Sequence, residues 1–156
     1  LDTFLSTSLQ IYKDSPTYAS LFQDYLLSLH PKREDMKVHE VIISLASNEN
    51  QEANMAKARE QLTQLMVEVH FTSAIWTEPV NTSRKKPYLN QLCKGTTTFG
   101  EGLLCEVLKE TEKRLGRTHN EDGIVAIDLD LLQYDDQRHH LRDWSRDYVK
   151  NLLNEL

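Results

Sequence analysis

The sequence predicts an α+β fold in which helices cover one face of an antiparallel sheet. Three observations support this prediction. Four stretches have the short apolar runs, or the alternation of apolar and polar residues, that are typical of strands. Two longer stretches between them have the apolar spacing of amphipathic helices. Their order along the chain is βαββαβ, with an extra helix predicted at each end, and two such split βαβ units form the ferredoxin-like arrangement.

The composition is that of an ordinary globular domain. The 156 residues are 39% hydrophobic and 27% charged, and the formal net charge is −6. This acidic balance argues against a broad nucleic-acid-binding surface, and no apolar run is long enough to cross a membrane. No secretory signal pattern is seen, and neither Cys93 nor Cys105 belongs to a Cys-x-x-Cys pair. We therefore expect a cytoplasmic protein with reduced thiols and small-molecule partners, and neither nucleic acid nor a membrane among them.

Residues 1–36 form the first predicted unit, a helical extension ahead of a core domain at 37–156. Ser15 and Pro16 are suited to the N-cap and the first position of a helix, and His30-Pro31 ends it. The apolar stripe between them consists of Tyr18, Leu21, Phe22, Tyr25, Leu26 and Leu29. This stripe has to be buried on the core domain or on a partner. We expect a monomer, or a weak dimer in which this helix is an interface.

The core domain begins with a strand at 41–45, followed by a turn at 46–50 and a helix that runs to about Met66. The residues expected on the apolar side of this helix are Ala53, Ala56, Leu62, Leu65 and Met66. Residues 67–75 alternate between apolar and polar, which predicts a half-buried strand, and residues 77–79 end it. These three elements form the first half of the predicted core.

The second half begins with a polar loop at 80–87, whose basic run Arg84-Lys85-Lys86 is either a solvated loop or a docking site for phosphates. A strand at 88–97 follows, and then a helix that Thr98 caps and Gly116 ends at C′. The inward residues of this helix are expected to be Leu103, Leu104, Val107, Leu108 and Leu115. A strand at 124–132 comes next. The last helix starts at about 142 and carries Trp144, Tyr148, Leu152 and Leu153.

The strand at 124–132 carries the strongest functional signal, Asp128 and Asp130. Side chains alternate along a strand, so both carboxylates lie on one face, and Ile127, Leu129 and Leu131 lie on the other. Two adjacent carboxylates repel each other, and a shared cation removes the repulsion. Mg²⁺ prefers one or two carboxylates together with phosphate oxygens and water, so the pair indicates a magnesium–nucleotide site. The alternative is an open sheet face with two solvated aspartates.

Six separated segments, taken in their order and spacing, resemble one enzyme family. They are 44–48 (SLASN), 52–54 (EAN), 77–80 (TEPV), 87–90 (PYLN), 115–117 (LGR) and 127–132 (IDLDLL). The family is 6-hydroxymethyl-7,8-dihydropterin pyrophosphokinase of folate biosynthesis, and the resemblance covers about residues 37–150. It implies an ATP-dependent transferase that moves pyrophosphate from ATP to the hydroxymethyl group of a reduced pterin and releases AMP.

The resemblance also implies catalytic and nucleotide-binding residues. Asp128 and Asp130 are the expected ligands of two Mg²⁺ ions that bridge the ATP phosphates, and Arg117 is expected to hold or neutralise those phosphates. Phosphoryl-type transfer depends on such positioning and on charge neutralisation. The expected nucleotide-binding residues are Glu112, Arg117, His140 and Arg146.

The same resemblance implies a pterin site. Asn90 is expected to read the edge of the pterin ring, because an amide offers both a donor and an acceptor. Backbone groups near Thr77 and Pro79 are expected to hydrogen-bond the same ring. Tyr88 and Tyr148 are expected to stack on its two faces, although both tyrosines also fit ordinary positions in a core or at a rim.

The chain departs from the family pattern on the nucleotide side. Ala46 replaces a glycine, and Val125 replaces an arginine beside the aspartates. The segment before the paired aspartates carries Glu121 and Asp122, where the family has basic residues and a tryptophan in a loop that closes over ATP. Carboxylates at that place repel phosphates. The missing cations would have to come from elsewhere, and the candidates are Arg84, Lys85, Lys86, Arg138 and Arg142.

Three hypotheses follow from the retained pterin residues and the lost basic residues. The first is a working but divergent pyrophosphokinase. The second is a homologue that keeps the pterin pocket and transfers pyrophosphate slowly or not at all. The third is a ferredoxin-like protein-interaction module whose partner-binding element is the N-terminal helix.

Overall fold

The computed structural model describes residues 37–79, 86–118 and 123–156. The predicted N-terminal helix lies outside these residues, and so do Arg84, Lys85 and the acidic pair Glu121 and Asp122. The domain boundary at residues 36 and 37 therefore stays a prediction. Among the described residues, no helix is both long enough and apolar enough to cross a membrane.

The described residues form a single antiparallel sheet of six strands together with three α-helices. In chain order the elements are β1 (His39–Ser47), α1 (Gln51–Leu65), β2 (Glu68–Phe71), β3 (Ile75–Thr77), β4 (Tyr88–Thr97), α2 (Glu101–Arg114), β5 (Asp128–Tyr134), β6 (Gln137–Arg138), a 3-10 turn (Asp143–Ser145) and α3 (Asp147–Leu153). The sheet order is β2-β4-β1-β5-β6, and β3 also pairs with β4. This order confirms the predicted ferredoxin-like α+β fold.

Strand β1 is the centre of the sheet and lies between β4 and β5. Its burial alternates, and Val41, Ile43 and Leu45 are at most 1% exposed. The face that these three residues share also carries Gln91 of β4, whose side chain accepts a hydrogen bond from Arg59 of α1 at 3.2 Å. The strand is longer than the predicted 41–45 because its pairing with β4 continues from His39 to Ser47.

Helix α1 lies where it was predicted, but its rotation about its own axis differs from the prediction, so different residues are buried. Leu62 and Leu65 are buried as expected, whereas Ala53 and Ala56 are exposed, so their predicted inward orientation was wrong. The residues buried in their place are Asn54, Met55 and Ala58. The larger side chains of Met55 and Leu62 remove more apolar surface from water than two alanines do, and they set the rotation of the helix.

The strand predicted at 67–75 is divided into β2 and β3. Phe71 pairs with Cys93 and Ile75 pairs with Asn90. Between these two pairs lie three residues on one strand, 72–74, and two on β4, 91–92. One residue is therefore extra, as in a β-bulge. Thr72 fills the gap: its N–H donates to Leu92 O at 3.0 Å, and its Oγ1 accepts from Leu92 N at 3.0 Å. Because of this bulge, the strand predicted at 67–75 is interrupted after Phe71.

Helix α2 begins later than predicted, because Gly100 rather than Thr98 occupies the N-cap position. Thr97 Oγ1 accepts the Phe99 N–H at 3.2 Å, and Phe99 is 3% exposed, so the chain first turns inward. Leu104 and Leu108 are buried as expected, and the other predicted inward residues are only partly buried. Gly116 has a φ of 96°, which is the left-handed conformation expected of a C′ glycine.

Strand β5 begins at Asp128 rather than at 124. Residues just before it bond to the end of β1 and to the turn that follows. The Ser47 hydroxyl donates to Ala126 O at 2.6 Å, Val125 N–H donates to Asn48 Oδ1 at 2.6 Å, and Asn48 N–H donates to Val125 O at 2.9 Å. Asn48 Nδ2 also donates to Gly123 O at 2.9 Å, and Asn48 is 2% exposed. The side chains of Ser47 and Asn48 therefore take the place of most ladder hydrogen bonds over this segment.

The C-terminal helix packs on the sheet face opposite to Ile43 and Leu45. Its first predicted turn is the 3-10 turn, and α3 proper begins at Asp147. A buried cluster joins it to the sheet and consists of Leu92, Leu132, Val149 and Leu152. Helix α3 therefore covers part of this sheet face, and a cavity lies beside the helix.

Candidate active site

A cavity of about 640 Å³ lies beside α3 on this sheet face. Its walls come from β1, β3, β4, β5, the segment before β5 and the chain from the 3-10 turn into α3. The lining residues are Ser44, Ala46, Thr77, Glu78, Pro79, Tyr88, Asn90, Arg117, Val125, Asp128, Asp130, Asp143, Arg146, Asp147 and Tyr148. Nine of the eleven predicted site residues are among them, and Glu112 and His140 are not.

Asp128 and Asp130 occupy one wall of this cavity. Leu129, between them, is 1% exposed and lies on the opposite face, so the predicted division of side chains between the two faces is correct. Across the ladder, Asp130 pairs with Ser44 and Asp128 pairs with Ala46. Because the side chains of Ser44 and Ala46 are small, space remains in front of both carboxylates. The Asp130 side chain is 26% exposed.

Two cations neutralise the aspartates. Arg117 forms an ion pair with Asp128 and also donates to Ile127 O at 3.3 Å. Lys109 Nζ lies 3.5 Å from Asp130 Oδ1 and 3.9 Å from Asp128 Oδ1. Burial raises the pKa of Asp130, and the charge of Asp128 raises it further, while Lys109 partly offsets both effects. The pair is therefore a site where added positive charge lowers the free energy.

Glu112 lies beside the backbone of β5 and does not line the cavity. Its side chain is 4% exposed, and Oε1 accepts the Leu129 N–H at 2.7 Å and the Lys109 ammonium at 2.9 Å. Burial raises the pKa of Glu112, and these hydrogen bonds work in the opposite direction. For Lys109, burial acts to lower the pKa, but the bond to Glu112 and the nearby carboxylates outweigh it and leave the pKa raised. In this geometry Glu112 fixes the backbone between the two aspartates.

Across β1 from the aspartates, the predicted pterin residues Thr77, Tyr88 and Asn90 line the cavity from β3 and β4. Asn90 is 3% exposed, and its Nδ2 donates to Thr77 Oγ1 at 2.8 Å. Pairing of β3 with β4 brings Thr77 opposite Tyr88, and Tyr148 enters from α3. Burial raises the pKa of Tyr148, so its hydroxyl stays protonated at neutral pH. An amide, a hydroxyl and two aromatic rings thus line one end of the cavity.

The two remaining predicted nucleotide residues differ in position. Arg146 lines the cavity and pairs with Asp143, with Nε 2.8 Å from Oδ1. His140 lies at the margin, with Nε2 3.9 Å from Asp130 Oδ1. Asp130, His140 and Asp143 each offer a ligand atom within 4.8 Å of the others.

Several functional groups were missed by sequence reasoning. Glu78, Asp143 and Asp147 line the cavity, and Lys109 lies next to it. Only Lys109 had a local signal, because it precedes Glu112 by three residues on a helix and so shares a face with it. The others depend on how the ends of β3 and α3 meet, which the sequence pattern does not contain.

The cations proposed as replacements are mostly engaged elsewhere. Lys86 forms an ion pair with Glu49, and the Arg138 guanidinium lies 4.1 Å from the ring centroid of Trp144. Neither lines the cavity, and the same holds for Arg142. Val125, which takes the place of the family arginine, is 4% exposed in the cavity wall. Among the described residues, the positive charge next to the aspartates comes from Arg117 and Lys109.

The residues in the cavity suit magnesium. Asp128 and Asp130 offer hard carboxylate oxygens, which are the ligands that Mg²⁺ prefers, and the open space in front of them suits a cation that keeps several waters. Five carboxylates and two guanidinium groups line the cavity, a formal excess of three negative charges. A cavity with this balance attracts divalent cations and repels an uncompensated triphosphate.

The fold and the site define a ferredoxin-like α+β protein with paired aspartates in an aromatic-lined cavity. The chain matches the family model of 7,8-dihydro-6-hydroxymethylpterin-pyrophosphokinase (HPPK) over residues 42–156, and it belongs to this family. It is also 32% identical over 129 residues to the folate synthesis bifunctional protein of Arabidopsis thaliana. That alignment covers 75% of this chain and 27% of the relative, so the chain spans about a quarter of the relative's length.

Proposed function

We propose that this protein transfers pyrophosphate from ATP to the hydroxymethyl group of 6-hydroxymethyl-7,8-dihydropterin. In this reaction the hydroxyl oxygen forms a bond to the β-phosphorus, the bond between that phosphorus and the α-phosphate oxygen breaks, and AMP leaves. The observation that carries the proposal is one cavity lined by the amide of Asn90 on β4 and, across β1, by the carboxylates of Asp128 and Asp130 on β5. Family membership supports assigning the Asn90 side to the pterin and the aspartate side to the phosphates.

The pterin end supports binding of a flat, polar heterocycle. Tyr88 and Tyr148 offer aromatic surfaces for stacking. Asn90 offers hydrogen-bonding groups at a buried position, and Thr77 offers a hydroxyl at a partly buried one. A polar group that is shielded from water discriminates strongly between ligands, because a ligand that cannot pair with it leaves it unsatisfied. We therefore assign Thr77, Pro79, Tyr88, Asn90 and Tyr148 to the pterin.

The phosphate end supports a requirement for two magnesium ions. The lining carries three more negative than positive charges, and two divalent cations reverse that sign. When bound, Mg²⁺ neutralises phosphate charge and orients the phosphates for displacement. The roles of this chain's own residues are to hold the ions with Asp128 and Asp130 and to pair with phosphate oxygens through Arg117 and Arg146.

Weak transfer by a pterin-binding homologue is the second candidate. It is favoured by Val125, an apolar residue that is 4% exposed in the wall beside the aspartates, where the family resemblance leads one to expect an arginine. Loss of one cation that stabilises transferring phosphates slows transfer by orders of magnitude without removing the pterin site.

The experiment is a calorimetric titration with 6-hydroxymethyl-7,8-dihydropterin and a non-hydrolysable ATP analogue, with and without Mg²⁺, followed by an assay of AMP release. The proposed function predicts nucleotide binding that requires Mg²⁺, AMP release that requires the pterin, and loss of both in Asp128→Asn. Asp136→Asn is the matched control, since Asp136 is an exposed carboxylate on the turn that follows β5. Pterin binding without AMP release selects the second candidate, and binding of neither ligand rejects both.

A further inference from the structure

The ammonium group of Lys109 lies among three carboxylates. From α2, Lys109 Nζ is 2.9 Å from Glu112 Oε1, 3.5 Å from Asp130 Oδ1 and 3.9 Å from Asp128 Oδ1. Arg117 makes an ion pair with Asp128 alone of the two aspartates, and His140 approaches Asp130 alone. Within the described parts of the chain, Lys109 is the cation that bridges the two.

A divalent cation between the aspartates would take the position next to this ammonium group. The oxygens that face Lys109 are Oδ1 of Asp128 and Oδ1 of Asp130, and Mg²⁺ binds carboxylate oxygens at about 2.0–2.1 Å. Two cations that share the same two oxygens repel each other strongly at such separations. The Lys109 side chain is 52% exposed, so it has room to turn away from the aspartates.

We propose that Lys109 is a positioning residue that acts as a tethered counter-ion for Asp128 and Asp130. It neutralises the two carboxylates when no divalent cation is bound, and it moves aside when one binds. This inference rests on the proposed function, which makes the aspartates a magnesium site. Glu112 stays within reach of Lys109 during the exchange, because the hydrogen bond from the Leu129 N–H holds its carboxylate in place.

Because of this counter-ion, the site prefers Mg²⁺ that is already bound to a nucleotide over free Mg²⁺. Free Mg²⁺ has to displace the ammonium group and gives it no new partner. Magnesium bound to a triphosphate brings phosphate oxygens, which can pair with the displaced ammonium group. Lys109 therefore weakens binding of free Mg²⁺ more than binding of the Mg²⁺–nucleotide complex, and it holds the empty aspartates against their mutual repulsion.

The test measures Mg²⁺ affinity by calorimetry and the thermal midpoint of unfolding, in chelator and in saturating Mg²⁺. Lys109→Met is expected to bind free Mg²⁺ about tenfold more tightly, since one adjacent positive charge is removed. Its thermal midpoint is expected to fall in chelator and to recover in Mg²⁺. Lys109→Arg keeps the charge and is expected to resemble the wild type. Lys113→Met is the matched control, one turn further along α2 with a side chain that is 71% exposed.

The outcomes separate this inference from the proposed function. If the wild type binds Mg²⁺, Asp128→Asn abolishes that binding and Lys109→Met binds no more tightly than the wild type, the counter-ion role is wrong and the proposed function stands. If the wild type binds neither Mg²⁺ nor its nucleotide complex, both are wrong. Where Lys109→Met does not fold, Lys109→Gln carries the same test, because an amide still hydrogen-bonds to Glu112 without adding charge.

Discussion

At the scale of single residues, Asn90 joins the sheet to the proposed pterin site. Its side chain is 3% exposed and donates to Thr77 Oγ1 at 2.8 Å. This hydrogen bond ties the end of β3 to β4 and fixes the orientation of the amide. A polar group held in this way loses little freedom when a ligand binds, and such preorganisation increases affinity.

We predict that Asn90→Ala weakens pterin binding about ten- to a hundredfold, because an unpaired buried polar group in the complex costs about 1–3 kcal/mol. Binding of the Mg²⁺–nucleotide complex is expected to change little, since β1 lies between Asn90 and the strand that carries the aspartates. Calorimetric titration with each ligand measures both effects. Asn151→Ala, on the exposed side of α3, is the control, and an equal loss of nucleotide binding in Asn90→Ala would contradict the assignment.

Single residues also show where sequence reasoning stops. Asp128, Asp130 and Asn90 could be singled out because a strand fixes which side chains share a face. Asp143 and Asp147 could not, and Lys109 had only its helical spacing from Glu112 as a signal, because the rotation of α2 and the entry into α3 bring these residues into the cavity or next to it. Those rotations follow from packing between elements that are distant in sequence, and the local pattern does not contain them.

At the scale of elements, the bulge between β2 and β3 is held from the C-terminal side of the fold. The Ser73 N–H donates to Glu155 Oε2 at 2.6 Å, and the Ser73 hydroxyl donates to Glu155 Oε1 at 2.8 Å. These two hydrogen bonds lower the pKa of Glu155. The residues just after α3 therefore help to fix the interruption of the edge strand.

We predict a pH-dependent loss of stability from this contact. Because the pKa of Glu155 is lower in the folded protein than in the unfolded chain, its contribution is fully present above the unfolded value near 4.5 and is lost as pH falls through the folded value. Glu155→Gln should therefore be less stable than the wild type at pH 7, and the difference should shrink below about pH 4.5. Urea unfolding at several pH values measures it, with exposed Glu106→Gln as the control; a difference independent of pH would contradict the prediction.

The approximate positions of most helices and strands could be predicted from the sequence, but the β-bulge and the rotation of α1 could not. Strand β4 has the predicted bounds, and its pairing with β1 runs without a break from Leu89 to Thr97. The order βαββαβ could be predicted because it depends only on which segments have the apolar spacing of a strand and which that of a helix. The division of β2 from β3 was missed, since the alternation from Val67 to Phe71 continues formally through the bulge. The rotation of α1 was predicted wrongly because alanine is small and fits either the buried or the exposed side of a helix.

At the scale of the whole molecule, the two cysteines report on different motions. Cys93 is fully buried in β4, and burial raises its pKa to about 12, so its thiol is neither accessible nor ionised in the folded protein. Cys105 is exposed on α2. A reagent for thiolates therefore reaches Cys105 in the native state and reaches Cys93 only after the sheet has opened.

We predict that N-ethylmaleimide labels Cys105 at least a hundredfold faster than Cys93 in native buffer at pH 8, and that urea removes the difference. Mass spectrometry of digested samples measures both rates. Cys105→Ser isolates the slow reaction, which should become slower still when cavity ligands bind, because they stabilise only the folded state. Similar rates at both sites would mean that β4 opens locally without global unfolding.

The architecture as a whole was predictable because it depends on element order, whereas the closure of the cavity was not. A helix after β5 was expected from its apolar spacing, but that spacing does not indicate that α3 crosses to the face that carries the aspartates. The family resemblance alone implied this, because it assigned Tyr148 to the pterin site. Its Val149 and Leu152 pack on Leu92 and Leu132, and this packing brings Tyr148 to the cavity. Location in the cytoplasm, oligomeric state and the role of residues 1–36 stay predictions.

The pairing of β1 with β5 has a consequence for synthesis of the chain. Ile43 pairs with Leu131, 88 positions further along. At about 5–20 residues per second, the first strand leaves the ribosome on the order of ten seconds before its neighbour is made. During that interval Val41, Ile43 and Leu45 have one edge of their strand unpaired, and the carboxylates that would bind metal do not yet exist. Metal and substrates therefore cannot protect the nascent chain from aggregation during this interval.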